Sequence, residues 1–190
     1  MTEQNKNLIY IYDTDDQKII MIDSETGERV REEDDEVTTF LKYLDEQRED
    51  QLLRKFAVWC TRQINKELKP IQKKILDLAE KAIQEDVETK DLEELYNETE
   101  GTAVAADTVG LRQGSESAPG YLAARECINP NALEGAIQAA RFHRLWVEMK
   151  ENKESLSDKA LEEIKASSDR STIQQVKQKQ TDQLLDLMND

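Results

Sequence analysis

The sequence predicts an α+β fold, mainly α: an N-terminal β-hairpin packed on a helical bundle, with a C-terminal amphipathic helix. Three observations predict it. Six Gly and three Pro among 190 residues are too few for a loop-rich or all-β chain. Apolar residues recur at helical spacing from Val37 onward. The one convincing period-two signal stands alone near the N-terminus. A chain of this length has one domain as its default and can bury a real core. Yet 35% of the residues are charged and the mean hydropathy is −0.78, which implies wide solvated faces. The expected division is an acidic hairpin element over 1–33, a helical bundle over 34–152 and a polar helical tail over 153–190.

The hairpin rests on Leu8-Ile9-Tyr10-Ile11-Tyr12, the turn-prone Asp13-Thr14-Asp15-Asp16-Gln17, and Lys18-Ile19-Ile20-Met21-Ile22. A second turn follows at Asp23-Ser24-Glu25-Thr26-Gly27, and Glu28-Arg29-Val30 is placed to begin a third strand. A hairpin alone is marginal in water, so this one is expected to pack on the helices or on another chain's edge.

From about Asp34 the period changes. Val37, Phe40, Leu41, Leu44, Leu52, Phe56, Cys60 and Ile64 predict one long helix that ends near Leu68, with a weak point at Gln47-Arg48. Asp34, Asp35 and Glu36 suit its first turn. Pro70 is placed as the first residue of the next helix, whose stripe is Ile71, Ile75, Leu78, Ala79, Ala82 and Ile83. Thr89 offers a cap for a shorter helix carrying Leu92, Leu95 and Tyr96. The small apolar run Gly101-Thr102-Ala103-Val104-Ala105-Ala106 fits either a helix or a buried loop, and residues 110–120 form the clearest loop.

A helix around Tyr121 is expected next, then a break at Asn129-Pro130, with Asn129 capping a longer helix. Ala132, Leu133, Ala136, Ile137, Ala139, Ala140, Leu145 and Trp146 make that helix apolar on more than one side, so it should be central. Ser157 caps a polar helix with Leu161 and Ile164. The Gln-rich tail from Ser171 carries Ile173, Val176, Leu184, Leu185, Leu187 and Met188, a weak amphipathic helix.

Charge is the chain's most uneven property. Residues 1–50 hold 16 acids against 6 basic residues, a net of −10 out of −15 for the whole chain. So dense a charge repels nucleic acid and anionic membrane and favours basic partners. Part of it has local work in turns and at helix starts. Glu25, Glu28, Glu32, Glu33, Asp45, Glu46, Glu49 and Asp50 do not, and they form the candidate partner-binding surface. Arg125, Arg141, His143 and Arg144, flanked by Phe142 and Trp146, form a candidate contact for an anion or an acidic segment; internal pairing with the acidic quarter is the simpler reading.

No catalytic, cofactor-binding or metal motif stands out, and none is expected. Asp13-Thr14-Asp15-Asp16-Gln17 opens like a calcium loop, but Lys18 and Ser24 stand where that loop needs Gly and Glu. Residues 110–117 lack the Gly-Lys-Ser/Thr of a phosphate loop. Cys60, Cys127 and His143 are the only soft metal ligands, without paired spacing. Cys127 and His143 would make a nucleophile pair only if their helices pack together. The N-terminus has no secretory pattern, no apolar stretch approaches the roughly 20 residues of a membrane span, and two cysteines make no disulfide framework. A cytoplasmic chain is expected.

Arg54-Lys55-Phe56-Ala57-Val58-Trp59-Cys60-Thr61-Arg62-Gln63-Ile64 resembles an Arg-x-Phe-Ala-x-x-Cys-Ala helix of small helical bacterial immunity proteins. Ile75 to Ile83, Ala123-Ala124-Arg125-Glu126 and Ala136 to Arg141 are similar to later helices of that family, so the resemblance spans residues 52–150. Thr61 departs from the usual Ala. The resemblance implies a bundle that binds and blocks a toxin-like or enzymatic partner, and it carries over no catalytic residue.

The expected function is therefore a non-catalytic acidic interaction module, of immunity or inhibitor type, for a protein with a basic surface. It is not expected to bind nucleic acid or membrane directly. The alternatives are a nucleic-acid mimic, a structural or adaptor subunit, and an enzyme using Cys127 and His143.

Overall fold

A computed structural model describes residues 8–13, 18–28, 35–64, 69–84, 87–111, 113, 115, 117–151 and 171–189. Strands β1 (Leu8–Asp13) and β2 (Lys18–Asp23) precede helices α1 (Glu36–Glu46), α2 (Asp50–Ile64), α3 (Pro70–Gln84), α4 (Thr89–Glu98) and α5 (Glu100–Ala105). A π-helical turn (Ala106–Gly110) leads on to α6 (Ser117–Glu126), α7 (Ala132–Glu151) and α8 (Ser171–Asn189).

The expected α+β class is corrected: the fold is an all-α bundle. The two hydrophobic clusters are built on the helices and the turns joining them. β1 and β2 lie antiparallel, Leu8 opposite Asp23 and Asp13 opposite Lys18. Two strands make no layer, however, and a lone ladder of this size is marginal without support. A hairpin packed on a bundle is thus not the organising principle. Glu28 lies outside any strand, and the rest of the proposed third strand, like the turn at 14–17, falls outside the described residues.

The single long first helix is also corrected. It is two helices, α1 and α2, separated by Gln47, Arg48 and Glu49. Arg48 is left-handed at φ 62°, Arg48 N–H donates to Asp45 O at 2.9 Å, and Glu49 N–H donates to Leu44 O at 3.0 Å. Such a reversal closes a helix by satisfying its last carbonyls. It folds the stripe of Val37, Phe40, Leu41 and Leu44 back toward that of Leu53, Phe56, Ala57 and Cys60, and both become buried.

Pro70 does open α3. Thr89 lies inside α4 rather than capping it. The ambiguous run at Gly101 is helical, as α5 continued by the π-helical turn. The loop expected over 110–120 is shorter, because α6 already begins at Ser117 and takes Pro119 and Gly120 into its first turn. The cap of α7 is Asn131, whose Oδ1 accepts from Glu134 N–H at 3.0 Å; Asn129 Oδ1 accepts from Asn131 N–H instead. The polar helix expected after Ser157 lies outside the described residues.

Helix α7 is central and touches α1, α2, α6 and α8. Small residues allow the close approach. Ala124, Ala136, Ala139 and Ala140 are almost wholly buried, and a Cβ on Gly135 would stand 2.4 Å from Glu126 O. α8 docks against α1, α2 and α7, burying Ile173, Val176, Gln180, Thr181 and Leu184. A smaller cluster around Leu111, Tyr121, Leu122, Leu145 and Met149 closes the other end of α7.

Candidate interaction surface

The α1–α2 elbow presents Asp45, Glu46, Glu49 and Asp50, all exposed. Between Leu44 and Leu53 no residue is buried, so the elbow carries charge because the core ends on either side of it. Asp50 stands in the first turn of α2, where a carboxylate suits the helix dipole. Glu25 and Glu28 are exposed beyond β2, around Gly27 at φ 69°, with Glu28 N–H donating to Thr26 Oγ1 at 3.3 Å. Glu32 and Glu33 lie outside the described residues.

Asp35 belongs to the interior seam instead. Its Oδ1 accepts from Thr38 N–H at 2.9 Å, capping α1, and its Oδ2 pairs with Arg144 at 2.7 Å and Lys177 at 3.6 Å. One carboxylate therefore ties α1 to α7 and α8. Burial pushes its pKa up, but Arg144, the Thr38 hydrogen bonds and Lys177 together hold it below the ordinary carboxylate value.

The four residues of the expected basic cluster do not converge. Arg125 donates from Nε and Nη2 to Tyr96 O at 3.3 and 3.2 Å, and its guanidinium covers the Tyr96 ring at 3.4 Å. Arg144 is taken by Asp35. His143 is 5% exposed, edge-on to Trp59 and 3.3 Å from Gln180. Arg141 alone is exposed. The internal pairing with the acidic quarter is realised at Arg144.

Cys127 and His143 are served by different neighbours. The Cys127 thiol meets Thr61 Oγ1 at 3.2 Å and donates to Ala123 O at 3.4 Å, within full burial. Desolvation pushes its pKa up to about 12, so it stays a thiol near neutrality. His143 faces Gln180 and Trp59, and the nearer cysteine to that group is Cys60, 3.8 Å from Gln180 Nε2. A thiolate–imidazole pair is not what this packing builds.

Sequence reasoning missed the polar anchors. Arg54 is 7% exposed and donates to three backbone carbonyls of the α6–α7 connection: Cys127 O at 3.3 Å, Asn129 O at 2.9 Å and Pro130 O at 3.4 Å. Its heptad spacing to Thr61 on a second buried face of α2 was the available signal. Glu126 accepts from Asn129 Nδ2 at 2.8 Å and Tyr96 OH at 3.3 Å, and burial raises its pKa despite these bonds and Arg125.

Among the described residues no three His, Cys, Asp or Glu side chains gather in a group able to hold a metal, and no helix is long and apolar enough to cross a membrane. Comparison with protein-family models, with curated proteins and with solved structures finds no match.

Proposed function

We propose that the chain is a non-catalytic, cytoplasmic interaction module that binds a basic protein surface through its acidic elbow. The observation that carries this reading is the exposure of Asp45 and Glu46 at the end of α1, Glu49 in the turn and Asp50 at the start of α2, at the elbow between two helices that each bury a face. Carboxylates held on a packed elbow keep a fixed spacing, and such charge raises association rate and selectivity more than affinity. Glu25 and Glu28 add to the same excess, with Glu32 and Glu33 completing the set in sequence.

The finer reading is a bacterial immunity or inhibitor protein, supported by the resemblance over residues 52–150. In that segment Arg54, Phe56, Ala57 and Cys60 are all buried, so they serve the scaffold rather than the contact. A nucleic-acid mimic needs carboxylates spread along one face at phosphate-like spacing. The described members of the set stand at two short turns, which lends that alternative less support.

Affinity capture from the source organism, at low and high salt, is the test. One cognate basic protein should bind the native chain and be lost at high salt. It should bind the D45N/E46Q/E49Q/D50N variant at least tenfold more weakly. Salt-independent capture that the variant retains would dismiss the proposal.

A further inference from the structure

His143 is the chain's single histidine, and it lies under α8. Gln180 of α8, 0% exposed, directs its Nε2 to Ala140 O at 3.1 Å and to His143 Nδ1 at 3.3 Å. An amide N–H₂ only donates, so Nδ1 accepts and the ring is neutral, with its proton on Nε2. Gln180 Oε1 is buried without a hydrogen-bond partner. An orphaned buried acceptor of this kind weakens a contact that apolar packing alone would make tighter.

We propose that α8 is an acid-released strap, which leaves its seat on α1, α2 and α7 when His143 takes up a proton. Protonation at Nδ1 sets an N–H against the Gln180 N–H₂, turning donor–acceptor into donor–donor. The charges on the ring do not offset this. Arg144 on α7 and Lys179 on α8 are both positive, Cys60 faces the site from α2 as a thiol, and Asp35 of α1 is already engaged by Arg144 and Lys177.

The sign follows from linkage. Burial, reinforced by Arg144 and Lys179, lowers the His143 pKa to about 4, and freeing α8 returns it toward its ordinary value of 6.5. Docking is therefore at full strength above pH 6.5. It weakens about tenfold per pH unit as the pH falls toward 4, since only the undocked form binds the proton. Asp35 contributes in a different window: its lowered value means that its tie is lost only at more acid pH.

Hydrogen exchange of the intact chain, corrected for intrinsic rates, tests the strap. Between pH 7.5 and 5.0 the protection of α8 amides should fall roughly 30-fold while α2 and α7 hold theirs. In His143→Gln the fall should be under threefold. An equal fall in both proteins, or α8 and α2 losing protection together, overturns the proposal. The lone imidazole also reports without any variant. An NMR titration should place its midpoint between about 4 and 6.5 in the native chain, with α8 protection lost over the same range, and a midpoint near 6.5 with α8 still protected overturns the proposal as well.

Discussion

At the residue scale the fold depends on a few polar and small groups more than on its obvious apolar stripe. Arg54 supplies hydrogen bonds to three carbonyls that lie 73 to 76 positions away. Arg54→Met keeps most of the volume and strands those acceptors, so chemical denaturation should show a loss of about 3 kcal/mol. Gly135→Ala forces a Cβ to 2.4 Å from Glu126 O and 3.0 Å from the Asn129 Cβ. With backbone as the obstacle α7 must shift, and the expected loss exceeds about 2 kcal/mol. Gly101→Ala in α5 meets nothing within 4 Å and should instead stabilise by about 0.5–1 kcal/mol. Neither outcome was legible in the sequence, where Gly101 opens a run that fits a helix or a buried loop and Gly135 is one small residue in an Ala-rich helix. The cysteines were legible: Cys60 on its stripe is a buried hydrophobe. In the folded protein both thiols should stay unreactive toward a disulfide reagent at pH 8 and react only as it unfolds.

At the element scale, periodicity located the helices and local chemistry set their ends, which is where reading the chain failed. The weak point at Gln47-Arg48 is a break between two helices, because burying both halves of the stripe requires the chain to turn and Arg48 accepts φ 62°. That conformation suits Gly, so Arg48→Gly should raise stability by up to about 1 kcal/mol in thermal unfolding. Asn129 was the expected cap, but it is Asn131 that caps α7, through the hydrogen bond its Oδ1 accepts from Glu134 N–H. The hairpin signal over residues 8–23 corresponds to a real backbone pairing. It misled on fold class because two paired strands are not a sheet layer, and local alternation says nothing about what covers a strand. The tail helix was recognised as amphipathic, yet Gln180, the residue that seats it against His143, was hidden within a Gln-rich run.

At the scale of the whole molecule, the net charge of −15 sorts into two kinds. Asp35, half-buried, is taken up in joining three helices, and Glu126 is buried among Asn129, Tyr96 and Arg125. The elbow carboxylates remain at the surface, where they can meet a partner. Composition revealed the excess but not this sorting, which depends on contacts far apart in sequence. The most direct test of the proposed role is the association rate with the captured cognate protein, measured against ionic strength for the native chain and for D45N/E46Q/E49Q/D50N. The native rate should fall steeply with salt, and the variant's rate should start at least tenfold lower and respond weakly. Identical rates and salt slopes for the two proteins would contradict the account and leave the elbow's acidity a matter of solubility.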